Sequence, residues 1–252
     1  MCLAHGAQSK RNKNRSACLP VSVDYYNLGE KMSAKFRINL EAVEYYLKMV
    51  QKNFEHINDS LDMRREPMRD EIVENMLAGY RYINNLLDQK LSLVEQDGLH
   101  HFLELNHIVL CGEDLKKRKD FKQHILATSE RFYNQKEFSI KHLRSWAKDH
   151  KHVTPWKRAA GMYILHVSQP QLFFEGNHRT GALLMSNILV RGGKPPFVLT
   201  VDNAKAYFDP SSLAKSTKKD LLGKLYKLPK IKKNFAKFLE AQANPELLIQ
   251  AS

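Results

Sequence analysis

Residues 171–182 of this chain read QLFFEGNHRTGA. The segment joins two apolar runs that we predict to be helices: Trp156 to Val167, with Pro155 at its start, and Ala182 to Val190, which stops before Gly192. A loop with charged and small residues between two buried helices is an unusual place for charge. We predict the fold and the function first from this segment and then from the residues on either side of it.

The loop has the composition of an anion-binding site at the start of a helix. Gly176 has no Cβ, so the backbone there turns tightly or approaches a ligand closely. Asn177, His178 and Arg179 would stand at the N-terminus of the next helix, where free N–H groups and the helix dipole favour an anion. Glu175 beside them would hold a Mg²⁺ that bridges to phosphate oxygens. The pattern predicts a diphosphate or nucleotide cradle, and a polar helix connection without a ligand is the alternative.

The segment resembles the signature of Fic (Fido-fold) proteins, HPFx(D/E)GNGRxxR. The matching residues are Phe173, Glu175, Gly176, Asn177 and Arg179. The flanking runs 155–160 and 182–196 are similar to the helices around the family motif, and the resemblance extends over residues 71–207. It implies a mainly α Fic (Fido) fold, a helical bundle with a short β-hairpin flap.

The resemblance also implies an activity and a set of ligands. Fic proteins of this lineage transfer AMP, or a related phosphate-linked group, from ATP or another nucleotide donor with Mg²⁺ onto a hydroxyl side chain of a protein target. Carried over to this sequence, the nucleotide-binding residues are Gly176, Asn177, His178, Arg179 and Gly181, with Mg²⁺ at Glu175.

The sequence departs from the signature at four positions. The leading His, which in the family deprotonates the target hydroxyl, is Gln171, and the Pro after it is Leu172. The second Gly is His178, and the final Arg, which in the family grips the terminal phosphate of ATP, is Ala182. A Gln side chain has no proton equilibrium near neutral pH, so Gln171 cannot be a general base.

These departures predict a protein that keeps the nucleotide loop but is catalytically impaired or altered. In this interpretation it is a pseudoenzyme that binds a nucleotide or a protein partner without turnover. Two alternatives stay open: an active transferase with a non-ATP donor, using His178 or a substrate group as its base, and a non-catalytic interaction protein.

A second segment resembles the inhibitory helix of many Fic proteins, whose pattern is (S/T)xxxE(G/N). Here Asp70 occupies the first place, Glu74 the place of the Glu and Asn75 the last. In the family the Glu pairs with the final Arg of the motif. Because that Arg is Ala182 here, Glu74 has no arginine partner for a regulatory role. The alternative interpretation of Glu74 is an ordinary exposed Glu.

Apolar spacing predicts most of the other elements. Residues 36–60, the stretch from Pro67 to Leu87, Leu91 to Leu110 and Phe138 to Trp146 are expected to be helical. Residues 121–128, FKQHILAT, are the candidate for the hairpin flap, and an irregular surface loop is the alternative.

The length of 252 residues suits one large domain with short additions. We expect a flexible tail over 1–33, a Fic-like helical domain over 34–210 and basic amphipathic helices packed on it over 211–252. Three scattered cysteines favour a reducing compartment, the cytoplasm, whether of its own cell or of a host into which it is delivered. No apolar run approaches the roughly 20 residues of a bilayer span, so no transmembrane segment is expected.

The net charge of +13 is concentrated near the C-terminal end. The lysines of this block are Lys215, Lys218, Lys219, Lys224, Lys227, Lys230, Lys232, Lys233 and Lys237. Apolar residues lie between them at helical spacing, which predicts an amphipathic helix pair broken at Pro229. A packed helix with a solvated lysine face is the first interpretation, and weak contact with a polyanion or acidic lipid is the second.

Overall fold

A computed structural model of the chain describes residues 35–219 and 227–251, and these are mostly α-helical. In chain order the helices are α1 (Leu40–Lys52), α2 (Phe54–Ser60), α3 (Asp70–Asp88), α4 (Leu99–Cys111), α5 (Leu115–Asp120), α6 (Lys122–Asn134), α7 (Ile140–Asp149), α8 (Pro155–Val167), α9 (Asn177–Arg191), α10 (Ala204–Ser216) and α11 (Leu228–Ala241). The strands β1 (Phe36–Ile38) and β2 (Leu248–Gln250) pair antiparallel. The mainly α prediction is confirmed. The predicted tail over 1–33 lies outside the described residues.

Helices α8 and α9 form the centre of the bundle. Pro155 occupies the first turn of α8, where its missing N–H costs nothing, and the side chain of Thr154 accepts a hydrogen bond from Lys157 N. Residues 159–167 of α8 and 180–190 of α9 are buried without interruption. A helix that is buried all round must be covered on several sides. Here α3, α4, α7, α10 and α11 supply that cover.

The predicted β-hairpin at residues 121–128 is wrong, and so is the loop alternative. This stretch forms the first half of α6, whose buried residues Thr128 and Phe132 are four apart, as on one face of a helix. The segment contains no Gly, Pro, Asn or Asp with which a tight hairpin turn would close. The pairing that does form joins residues 36–38 to residues 248–250 instead.

The start of the described chain is a strand rather than the predicted helix. β1 precedes α1, and Asn39 caps α1 by accepting a hydrogen bond from Ala42 N. Asn84 of α3 fixes β1, because its side chain accepts from Ile38 N at 2.8 Å and donates to Ile38 O at 3.0 Å. The helix expected from Leu91 begins only at Leu99.

Two helices follow the motif region toward the C-terminal end. α10 runs through position 210. The division into a domain over 34–210 and helices over 211–252 stays a prediction. α11 carries Pro229 in its first turn and packs on α8, with the buried ring of Phe235 stacked 5.0 Å from that of Tyr163. Residues 220–226 lie outside the described part of the chain. Within residues 35–219 and 227–251, no helix is both long and apolar enough to cross a bilayer.

Candidate functional site

Gly176 makes the turn that starts α9. Its φ of 71° lies in the left-handed region, which costs little for glycine and much for most other residues. A Cβ at this position would lie 3.0 Å from Asn106 Nδ2. That amide of α4 donates to Glu175 O at 3.0 Å and to Thr180 Oγ1 at 3.1 Å. The predicted tight turn at Gly176 into a helix is confirmed, and α4 holds it in place.

Asn177 and Gln171 close the loop on itself. Asn177 Oδ1 accepts from Phe173 N at 3.1 Å, and Nδ2 donates to Phe173 O at 2.9 Å. Gln171 Nε2 donates to Val167 O at 2.9 Å, and its Oε1 lies 3.5 Å from Asn177 Nδ2. The side-chain amide of each residue therefore serves the loop's own structure. Neither amide titrates near neutral pH.

A cavity of about 440 Å³ opens at the N-terminus of α9. Its polar lining, here termed the polar end, consists of residues 176–179 together with Arg64, Arg65, Glu66 and Lys215. The other walls are mostly apolar and include Leu47, Phe54, Met68, Ile72, Met76, Ala182, Phe197, Leu199 and Phe208. An apolar chamber with a cationic end suits a ligand that has an anionic group and a flat or apolar body.

The sequence-based reasoning missed Arg64, Arg65 and Lys215 as parts of this site. Arg65 is held by α10, since its Nη2 donates to Ser212 Oγ at 2.5 Å and its guanidinium carbon lies 5.1 Å from the centre of the Phe208 ring. Its Nε is buried and has no hydrogen-bond partner among the described residues. No local pattern marks these residues, because they are far from the loop in sequence.

Arg179 has two roles at once. It lines the cavity, and its Nη1 donates to Val109 O at 2.7 Å, at the end of α4. Burial lowers the pKa of its guanidinium, while nearby carboxylates, Glu175 first among them, raise it. A guanidinium remains charged under these conditions, so Arg179 adds a positive charge to the polar end.

His178 lies between the cavity and the buried Tyr163. Its Nδ1 is 3.0 Å from Tyr163 Oη, which is 2.7 Å from Ser211 Oγ. Its Nε2 is buried, and no atom of residues 35–219 or 227–251 bonds to it. Burial is the largest cause that lowers the pKa of His178 to about 3, and the charges of Arg65 and Lys215 are the other causes. The imidazole is therefore neutral near pH 7.

The structure places the other predicted site residues outside this cavity. Gly181 is buried against α8, and a Cβ there would lie 2.7 Å from Tyr163 Cδ2, so this glycine permits close helix packing. Glu74 is exposed in a groove that it shares with Arg81 and residues 111–114, whereas Ala182 lines the cavity. Glu74 and Ala182 are thus not brought together.

Magnesium binding stays a prediction. Glu175 is exposed and supplies a single carboxylate beside the cavity. The described part of the chain contains no cluster of three or more His, Cys, Asp or Glu residues that would hold a metal ion. Mg²⁺ commonly binds through one or two carboxylates together with substrate phosphates, so an ion at Glu175 would take its remaining ligands from phosphate and water.

Comparison with solved structures finds six similar chains, among them one of Fic-1. No family model matches the chain, and no curated protein matches it. The chain is similar to a structure of Fic-1 from C. elegans, with 20% sequence identity and a TM-score of 0.44. The similarity covers 80% of this chain and 62% of that one, so the chain spans less than two thirds of the length of Fic-1 in that structure.

Proposed function

We propose that the cavity at the start of α9 binds a nucleotide, and that the protein does not transfer that nucleotide to a target. The observation that carries this proposal is that three features line one cavity of about 440 Å³: the N-terminus of α9, Arg65 and Lys215. The charges of Arg65 and Lys215 act on His178 in the first turn of α9. The resemblance of residues 171–182 to the Fic signature supports a nucleotide as the ligand.

The polar end suits phosphate for two reasons. The first turn of α9 has backbone N–H groups without partners inside the helix, and the helix dipole adds positive potential there. Arg65 and Lys215 add full positive charges, and only Glu66 among the described lining residues carries a negative one. The apolar walls lower the local dielectric constant, which strengthens attraction between these charges and a bound phosphate.

Transfer by the family's chemistry lacks a base. Gln171 does not titrate near neutral pH, and its amide is engaged with Val167 O. His178 is the other candidate, but a pKa of about 3 makes it a weak proton acceptor at pH 7. Loss of a general base typically slows a reaction by about 10²–10⁴-fold. A protein with this loop therefore retains binding far better than turnover.

Calorimetry with Mg·ATP, Mg·ADP and CDP-choline tests the binding half of the proposal. Lys215→Met should weaken binding of the accepted nucleotide several-fold, because it removes a charge from the cavity's polar end. Lys230→Met is the matched control, an exposed lysine of α11 away from the cavity. Arg179→Ala is less suitable, since Arg179 also bonds to the end of α4. Absence of heat with every ligand, or equal affinity in both lysine variants, would contradict the proposal.

Incubation with labelled ATP and with labelled CDP- and UDP-linked donors tests the catalytic half. We expect no label on the protein itself, because neither residue 171 nor residue 178 accepts a proton readily at pH 7. Covalent self-labelling by any of these donors would show an active transferase instead.

A further inference from the structure

Hydrogen bonds determine which nitrogen of His178 carries the proton. Ser211 Oγ donates to the carbonyl oxygen of Tyr207 at 2.5 Å, and a carbonyl only accepts. Ser211 has one hydroxyl hydrogen, so in the 2.7 Å contact with Tyr163 the tyrosine must donate. Tyr163 Oη then has no hydrogen left for His178, and the 3.0 Å contact requires His178 Nδ1–H as the donor.

The other nitrogen of the ring is left as an acceptor. A neutral imidazole carries one N–H, so protonation of Nδ1 leaves a lone pair on Nε2. Nε2 is buried in a side chain that lines the cavity, without a partner among the residues that the structure describes. Buried polar atoms nearly always have a hydrogen-bond partner. A donor that enters the cavity would supply the missing partner at Nε2.

We infer that His178 Nε2 accepts a hydrogen bond from a hydroxyl of the bound ligand, and that it thereby selects phosphorylated sugars such as the ribose of a nucleotide. This inference rests on the proposed function, since it concerns the same cavity. A deprotonated phosphate oxygen is no partner for Nε2, because two lone pairs would face each other. Arg65 and Lys215 line the same cavity and their charges act on His178, so the phosphates that they attract lie next to the selected hydroxyl in the ligand.

The assignment of the proton is tested without any ligand. In the 252-residue chain with ¹⁵N-labelled histidine, NMR should show His178 with a protonated Nδ1 and an unprotonated Nε2. Tyr163→Phe removes the acceptor of the Nδ1 proton, so part of the population should move its proton to Nε2. Tyr163 acts here as a positioning residue. A protonated Nε2 in the unchanged protein would overturn the inference.

Selection of a hydroxyl is tested by comparing ATP, 2′-deoxy-ATP, 3′-deoxy-ATP and inorganic triphosphate by calorimetry. At least one deoxy analogue should bind about fivefold more weakly than ATP, the effect of one lost neutral hydrogen bond. The difference should vanish in His178→Phe and persist in part in His178→Gln, whose Oε1 is an acceptor. The Gln variant also keeps the test valid if the Phe variant fails to fold.

The outcomes separate the two proposals. If all four compounds bind the unchanged protein equally well, Nε2 bonds to a buried water, and this inference fails while anion binding at the cavity stands. If none of the four binds and CDP-choline also gives no heat, the proposed function and this inference fail together. If discrimination against the deoxy analogue survives in His178→Phe, another group reads the hydroxyl and the role of His178 is overturned.

Discussion

His166 shows how one buried side chain ties the stability of the central helices to pH. It lies in α8 with no solvent exposure, and its Nε2–H donates to the carbonyl of Asn177, the first residue of α9, at 3.0 Å. Burial is the largest cause that lowers the pKa of His166 to about 3, and the nearby charge of Lys219 is the next. In the unfolded chain the same side chain titrates near its ordinary pKa of about 6.5.

Acidification from pH 7.5 to pH 5 should lower the free energy of unfolding by about 2 kcal/mol through His166 alone. The sign follows because the unfolded state binds a proton below about pH 6.5, whereas the folded state excludes it until about pH 3. His166→Gln keeps a donor for Asn177 O but has no titrating nitrogen. Between pH 7.5 and pH 5 its free energy of unfolding should therefore fall by about 2 kcal/mol less than that of the unchanged protein. Denaturant unfolding of both proteins at the two pH values measures this. Equal pH dependence would mean that native His166 takes up the proton.

At the scale of elements, the close contact of α8 with α9 depends on a glycine. Gly181 of α9 lies against the ring of Tyr163 in α8, where a Cβ would lie 2.7 Å from Cδ2. Gly79 of α3 faces α9 in a similar way, but there the added Cβ would meet the terminal methyl of Leu183. A leucine changes rotamer more readily than a buried aromatic ring moves. Alanine substitutions at Gly181 and Gly79 therefore compare the effect of displacing a buried ring with that of displacing a leucine methyl.

Gly181→Ala should have a net destabilising effect of about 1–3 kcal/mol, the usual effect of overpacking a core. This net value already includes the gain of roughly 1 kcal/mol in helix propensity. Gly79→Ala should have a smaller effect, since only a leucine methyl has to move. Chemical denaturation of both variants gives the comparison. A Gly181→Ala protein as stable as Gly79→Ala would show that the Tyr163 ring is free to shift, contrary to the packing described.

At the scale of the whole molecule, β2 and the turn before it hold β1 against the bundle. Leu247 is buried at 2% exposure, and its carbonyl accepts from Asn39 N at 3.0 Å. Tyr46 of α1 donates to Glu246 Oε2 at 2.9 Å in an exposed contact. Apolar burial should contribute more to this closure than the exposed hydrogen bond does.

Leu247→Ala should cost about 2–5 kcal/mol, because it deletes buried methyl groups where residues from both ends of the described chain meet. Tyr46→Phe, which removes only the exposed hydroxyl contact, is the control and should change stability by about 0.5 kcal/mol or less. Thermal unfolding of both variants measures the difference. A melting temperature for Leu247→Ala equal to that of Tyr46→Phe would show that the strand pair adds little to stability.

The charge of the whole molecule gives a further prediction. With a net charge of +13, any binding of mixed-sequence RNA should come from lysine–phosphate contacts. Its affinity should therefore fall linearly with salt concentration on logarithmic axes, by about 0.7 in slope for each contact to a single strand. Filter binding at several salt concentrations provides the test. Tight binding that salt does not weaken would identify a specific site instead.

The sequence by itself determined the features that depend on neighbouring residues. Apolar periodicity and Pro155 predicted α8, and the Gly176 turn predicted the start of α9 at Asn177. These succeeded because capping, left-handed glycine and helical spacing act within one or two turns of the chain. The predicted hairpin at residues 121–128 is wrong, since residues 122–128 belong to a helix. It was predicted from the place of the flap in Fic proteins, although the segment contains no turn residue.

Only the tertiary structure decided what surrounds the loop. It brought Arg65 and Lys215 to the cavity, used Asn177 to close the loop, placed Gly181 in a helix contact and separated Glu74 from Ala182. It also linked His178 to Ser211 through the hydroxyl of Tyr163. Each of these depends on side chains from segments far apart in the chain. Their proximity follows from how whole helices pack, and spacing along one segment does not encode it.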